Sequence, residues 1–315
     1  MNTRPPASQS LVTTEWLAAH LDAPDIVVVD GSYYLPSQNR DAHAEYLAAH
    51  IPGAVFFDIN AIADRTTGLP HMLPAPEAFS SAMRKLGIGD GVTIVVYDGL
   101  GLFSAARVWW TFRMFGVRDV YVLDGGFPKW KAEGRPIELR EIKRTPRHFT
   151  ARFNPAAVAD MAAVKQTLAD KSAQVVDARS AERFAGTAPE PRPGLPSGHM
   201  PGAFNVPYSE IVEGGRLVEP ERIAAAFAKA GVDTDKAIVT SCGSGVTAAI
   251  LWLGLDAIGK PPKSLYDGSW TEWAAQPGAA IEPAKGLHRL IDPAGDGGRV
   301  RDITFDRRDT RGLRK

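Results

Sequence analysis

Short β-branched runs alternate with longer segments of helical period along this 315-residue chain. IVVVD (26–30), TIVVY (93–97), QVVD (174–177) and AIVTS (237–241) are continuous and largely apolar, the pattern of strands buried on both faces. Between them, PEAFSSAMRKLG and PERIAAAFAKAG space apolar residues three and four apart, which predicts amphipathic helices. Repeated strand–helix alternation predicts an α/β fold of mostly parallel sheets with helices on both faces. In such sheets ligands bind beyond the carboxyl ends of the strands, where loops lead into helices. Asp98 and Cys242 both stand at that kind of position.

The pattern is written twice, at a spacing of roughly 145 residues, which marks an internal repeat. IVVVDGS (26–32) matches QVVDARS (174–180), and HIPGA (50–54) matches HMPGA (199–203). TIVVYDGLG (93–101) matches AIVTSCGSG (237–245), and LDGGFPKW (123–130) matches YDGSWTEW (266–273). The four matches fall in the same order, so we divide the chain into units at 10–133 and 158–284. The Pro-containing, charge-mixed segment 134–157 reads as a linker, and 285–315 as a tail. His50 and His199 occur once in each unit, which favours a structural role for both. Trp109, Trp110, Trp130, Trp270 and Trp273 read as packing residues.

Charge narrows the partners. Lys plus Arg and Asp plus Glu number 36 each, which gives no electrostatic case for nucleic acid or a membrane surface. No stretch approaches the ~18 apolar residues of a membrane span, and the opening MNTRPPASQS has no apolar signal-type run. The single cysteine excludes an internal disulfide and fits a reducing, cytoplasmic setting.

That cysteine lies in TSCGSGVTAA (240–249). The strand delivers Cys242, Gly243 and Gly245 let the backbone curl, and helix-forming composition follows. Successive amides and the positive end of a helix would stabilise an anion at Sγ, the form in which a thiol is a nucleophile. A free cysteine is commonly a small buried apolar residue. The glycine-flanked setting and the matching loop with Asp98 favour the nucleophile here. A Cys-dependent phosphatase would need an arginine where Ala248 stands. A dinucleotide fingerprint, GxGxxA, is matched, but too little chain follows for a Rossmann unit. One cysteine with scattered histidines lacks zinc-ligand spacing, and no metal or organic cofactor is implied.

With HIPGAVFFDI, HMLP, RVWWTFRMFG, VLDGGFPKW, DARSAERFAGTAPEPRPG, GHMPGA, CGSGVT and YDGSWTEW in place, the chain resembles the rhodanese and 3-mercaptopyruvate sulfurtransferase family. The likeness covers residues 10–284. It implies two tandem rhodanese-like domains, the second one catalytic. Thiosulfate-using members put cationic side chains inside the cysteine loop. Gly243 and Ser244 stand there instead, which looks like the mercaptopyruvate branch. In that branch the pair matching Arg183 and Arg192 is associated with binding the substrate's carboxylate and keto oxygens, and a guanidinium fork suits a planar carboxylate.

The resemblance implies that Cys242 takes sulfur from 3-mercaptopyruvate as a persulfide, releases pyruvate, and passes sulfur to an external thiol, thioredoxin or cyanide. The loop residues Gly243, Gly245, Val246 and Thr247 would hold the substrate. It also implies a Ser/His/Asp constellation, for which Ser244 and His71 match. The acidic member falls on Asn60, which can orient a histidine ring but cannot stabilise an imidazolium by charge. The loop with Asp98 implies a noncatalytic first domain serving as lid and interface. Two alternatives stay open: a thiosulfate sulfurtransferase, and a persulfide carrier serving a dedicated protein partner.

Overall fold

The computed structural model describes residues 10–282 together with the short strand Arg289–Leu290. In the first unit the strands are β1 (Leu11–Val12), β2 (Ile26–Asp30), β3 (Val55–Phe56), β4 (Thr93–Tyr97) and β5 (Val120–Leu123). They form one sheet in the order β1-β5-β4-β2-β3, every pair parallel. In the second unit β6 (Val158–Ala159), β7 (Gln174–Asp177) and β8 (Phe204–Asn205) precede a hairpin of β9 (Val212–Glu213) and β10 (Arg216–Leu217), then β11 (Ile238–Ser241) and β12 (Ser264–Tyr266). The second sheet runs β6-β12-β11-β7-β8, again all parallel, and repeats the first strand for strand. The expected fold of two α/β units with parallel sheets and flanking helices is therefore present.

The two amphipathic patterns become the helices Pro76–Lys85 and Pro220–Lys229, each with proline at its start, where no intrahelical donor is lost. Their buried side chains, Phe79 and Met83 in one and Ile223 and Phe227 in the other, lie four apart and so share a face. The helices that follow β4 and β11 are different. Ala105–Met114 and Ala248–Ala257 are buried nearly all round because each lies between its own sheet and the other unit. They pack on each other, with Trp110 and Trp252 rings 6.1 Å apart, so one hydrophobic cluster runs through both units. Trp109, Trp110, Trp130 and Trp270 are wholly buried and Trp273 nearly so. Each such ring removes on the order of 200 Å² from water, about 5 kcal/mol of transfer free energy before ordering costs.

The segment 134–157 has little regular structure of its own, and its backbone groups are satisfied by the first unit. Glu138 and His50 exchange backbone hydrogen bonds of 2.9 and 2.8 Å, and Thr150 N donates to Asp90 at 2.9 Å. In the second unit His199 and Glu282 make the corresponding exchange at 2.9 Å. The His50 ring bonds Tyr46 O at 2.7 Å and the His199 ring bonds Phe184 O at 2.8 Å. Both histidines thus act as fasteners of a turn. The tail read from the sequence lies outside the described residues except for Arg289–Leu290, which pairs antiparallel with Ala280–Ile281. Among the described residues no helix is long and apolar enough to cross a membrane.

Candidate active site

Cys242 follows directly on β11 and is 2% exposed. Its Sγ accepts the Gly245 N–H at 3.1 Å, the one loop amide that reaches the sulfur among the described residues. Three further bonds clamp the loop to the helix Ser269–Ala275: Cys242 N donates to Ser269 Oγ at 3.2 Å, Trp270 N to Cys242 O at 2.9 Å, and Thr271 N to Gly243 O at 2.9 Å. Gly245 is required twice over. Its φ is +78°, and a Cβ there would stand 2.7 Å from Arg107 Nη1.

Ser244 and His71 lie 173 residues apart in sequence and meet in space. Ser244 Oγ shares a 3.0 Å hydrogen bond with His71 Nδ1 and accepts one from Arg192 Nη2 at 3.3 Å. His71 has φ +63° and is 4% exposed. Burial, reinforced by the charges of Arg107 and Arg192, pushes its imidazole down to about 3. The ring is therefore neutral at working pH and serves as a hydrogen-bonding group, not as a cation awaiting an anionic partner. Asn60 does not join it. It is exposed on the turn Ile59–Ile62, whose start is capped by Asp58, and among the described residues no hydrogen bond links it to His71.

The group that reaches His71 from behind is Arg107, which the sequence reading missed. It lies within the buried helix of the first unit and is 1% exposed. Its guanidinium donates to the carbonyls of His71 at 2.5 Å and Gly245 at 3.2 Å and forms an ion pair with Asp267 at 2.7 Å. Asp267 also accepts the Leu73 N–H at 2.8 Å. One buried cation thus fixes the histidine's strained peptide and the cysteine loop together. The sequence signal was an arginine near the start of a helix rich in apolar residues.

The sulfur faces a pocket of about 230 Å³. Gly243, Ser244, Val246 and Thr247 line it from the loop, Arg183 and Arg192 line it from the segment after β7, and Gly245, expected to hold substrate, is not among the lining residues. Tyr33, Leu35 and Phe103 close it from the first unit, and none of them was foreseen. Arg192 is half-buried, and among the described residues no carboxylate pairs with it. Arg183 is placed differently from expectation. Its guanidinium is taken by Glu190, with Nη2 to Oε2 at 2.5 Å and Nε to Oε1 at 3.2 Å. Glu190 is shared with Arg179, whose Nη1 reaches Oε1 at 2.7 Å. Arg179 is fully buried, bonded to Asp177 and Gly198 O, and stacked 4.3 Å over Trp270. Among the described residues no group of three His, Cys, Asp or Glu side chains could hold a metal ion.

The rhodanese-like domain family matches residues 13–133 and 160–276, one copy on each unit. The chain is 46% identical to the 3-mercaptopyruvate sulfurtransferase of Escherichia coli strain K12, over 87% of this chain and 98% of that one. It is 44% identical to thiosulfate/3-mercaptopyruvate sulfurtransferase 1 of Arabidopsis thaliana, described as mitochondrial, over 87% of this chain and 78% of the relative. Among solved structures it superposes on SseA of Escherichia coli, described for its rhodanese fold and the mechanism of the 3-mercaptopyruvate enzymes. The TM-score is 0.78 at 44% identity, covering 83% of this chain and 99% of that one.

Proposed function

The chain belongs to the rhodanese family, and from that premise we propose that it is a sulfurtransferase that takes sulfur from 3-mercaptopyruvate and hands it to an external thiophilic acceptor. The observation that carries this reading is a lone cysteine whose Sγ accepts a loop amide and faces a small pocket containing Arg192, a cation with no carboxylate of its own among the described residues.

Cys242 thiolate attacks the donor sulfur. The sulfur–sulfur bond forms, the carbon–sulfur bond breaks, and its electron pair stays on carbon as pyruvate enolate. Protonation at that carbon gives pyruvate. Arg192 binds the donor's carboxylate, and the Ser244 hydroxyl, held by His71 and Arg192, lies where it can bond the reacting centre. The loop amides hold the anionic persulfide. The acceptor thiolate or cyanide then attacks the outer sulfur and releases Cys242 as thiolate. With a single cysteine in the chain no internal disulfide can resolve the persulfide, so the acceptor is external. The same lone thiol suits a reducing compartment such as the cytoplasm.

Thiosulfate is the second donor to consider, because the pocket wall carries Arg179 and Arg183 besides Arg192. Pyruvate release from 3-mercaptopyruvate, measured beside sulfur release from thiosulfate with one acceptor, separates the two. Cys242-dependent turnover favouring mercaptopyruvate is expected, with Cys242→Ser inactive. Preference for thiosulfate would reverse the choice of donor, and turnover of neither would leave a protein-specific persulfide carrier as the better account.

A further inference from the structure

Glu190, which holds two of the arginines of the pocket wall, is a group that the chemistry above does not use. It is an acid 2% exposed, placed in the same loop as Arg192 and in contact with two of the three arginines that line the pocket. Its Oε1 accepts from Arg179 and its two oxygens together grip Arg183. Asp177 supplies the second carboxylate, on the far side of Arg179.

The local charge follows. Three guanidiniums, Arg179, Arg183 and Arg192, face two carboxylates, Asp177 and Glu190, and the balance is one positive charge. Cys242 meets either donor as the same thiolate, and the remaining lining groups add no charge. Tyr33 and Tyr208 are phenols held neutral by burial, and His71, behind Ser244, is neutral as well. Arg107 and Asp267, deeper still, cancel one another. Near neutral pH 3-mercaptopyruvate brings one carboxylate charge, whereas thiosulfate is a dianion.

We propose that Glu190 is a specificity-determining residue: together with Asp177 it holds the cluster of Arg179, Arg183 and Arg192 at a single positive charge, which suits a monoanionic carboxylate donor beside the Cys242 thiolate and disfavours a dianionic one. The inference rests on the sulfurtransferase reading. Discrimination by charge requires only that the charge be close to the donor and poorly screened, and a largely buried wall meets both conditions. Glu190 touches no reacting atom in this scheme. It acts through the two arginines.

The test is the ratio of kcat/KM for thiosulfate to that for 3-mercaptopyruvate, with cyanide as acceptor for both. Glu190→Gln keeps the shape and removes the charge, and the ratio is expected to rise roughly ten-fold or more. Glu190→Asp keeps the charge with a shorter reach, and its ratio is expected to stay within about two-fold of wild type. Leu35→Lys adds a cation to the same pocket without touching the arginine cluster and is expected to shift the ratio the same way as Glu190→Gln, so a Gln variant that fails to fold does not end the test. An unmoved or lowered ratio in the folded Gln or Lys variant overturns the proposal. So does an Asp variant that moves as far as the Gln variant, since geometry and not charge would then be in control. Wild-type protein that turns over neither donor would instead defeat the sulfurtransferase reading itself.

Discussion

The loop after β4 and the loop after β11 begin alike, DGLG against CGSG, and their difference shows what the second one is for. In the first, the Asp98 carboxylate folds back into its own loop: Oδ1 accepts the Leu100 amide at 2.8 Å, and Oδ2 accepts those of Phe103 at 2.7 Å and Ala105 at 2.8 Å. Burial pushes that carboxyl up, and the loop amides pull against it. The loop is then sealed from outside by the tip of the β9–β10 hairpin, where a Cβ on Gly101 would stand 2.7 Å from the Gly215 Cα. In the second, Sγ reaches only the Gly245 amide, and the loop opens on a pocket. One copy of the cradle is filled by its own side chain. The other opens on a pocket, which on the proposed reading leaves room for an incoming sulfur.

The largest expected effect comes from making the second loop like the first. Cys242→Asp places a carboxylate where Asp98 has one. Sulfur transfer should fall at least ~1,000-fold because the nucleophile is gone. The thermal midpoint should stay within a few degrees of wild type, since the equivalent amides are there to accept the charge. An inactive protein that also loses its cooperative melt would show that the two loops are not interchangeable cradles.

The comparison extends to two ion pairs that cross between the units from equivalent aspartates. Asp267 of the YDGSW landmark pairs with Arg107, and Asp124 of the LDGGF landmark pairs with Arg216 of the hairpin. The first pair is 1% and 5% exposed. Arg107→Leu leaves a carboxylate buried without its counter-charge and should cost about 3–5 kcal/mol. It should also lower kcat, because the carbonyls of His71 and Gly245 lose their donor. Adding Asp267→Asn should recover part of the lost stability but not the rate, and a melt of the single and double variants checks this.

Much of the fold was legible because it rests on local pattern. The four apolar runs became β2, β4, β7 and β11, and the repeat carried the domain topology. Cys242 and its glycines were legible for the same reason, being one strand-to-helix turn. What local pattern could not display is what crosses between units; His71 and Ser244 were joined only through the family resemblance. His71 to Ser244 and Arg107 to Gly245 are contacts over 173 and 138 residues, and no periodicity encodes them. Arg183 was visible as a cation but not as one already held, because Glu190 sits in a Pro-rich loop whose path only the fold decides. The relay role considered for Asn60 failed on placement: it lies on the exposed side of a short turn.

A third difference between the units is electrostatic. Asp177 ends β7 and is neutralised by Arg179, whereas its equivalent Asp30 ends β2 with Ser32 in the arginine's place. Asp30 is 3% exposed, and burial pushes its carboxyl up to about 6. Between the ordinary value near 3.8 and 6 the folded protein binds the proton more tightly than the unfolded chain, so stability falls as pH rises through that window. Asp30→Asn removes the charge and should raise the thermal midpoint at pH 7.5, by up to ~3 kcal/mol in stability, with little gain at pH 4. Asp177→Asn, which leaves the buried Arg179 with Glu190 as its remaining carboxylate, should destabilise instead. Equal responses from the two variants would show that the arginine is not what separates them.

The smallest effect is expected at Arg216, and it decides how the two crossing pairs are to be understood. Arg216 meets Asp124 at 2.6 Å, closer than Arg107 meets Asp267, yet its side chain is 55% exposed. Water screens that pair in the folded state and solvates both groups when it breaks, so Arg216→Ala should cost under about 1 kcal/mol and leave kcat unchanged. The pairs share topology, charge type and contact distance and differ in burial and in what the arginine additionally holds. If Arg216→Ala proved as damaging as Arg107→Leu, bridging the units would itself be the source of stability. If it proves nearly silent, the weight of Arg107 lies in its burial and in its grip on the His71 and Gly245 carbonyls, and the first unit contributes to the site through Arg107 and His71 as well as by covering it.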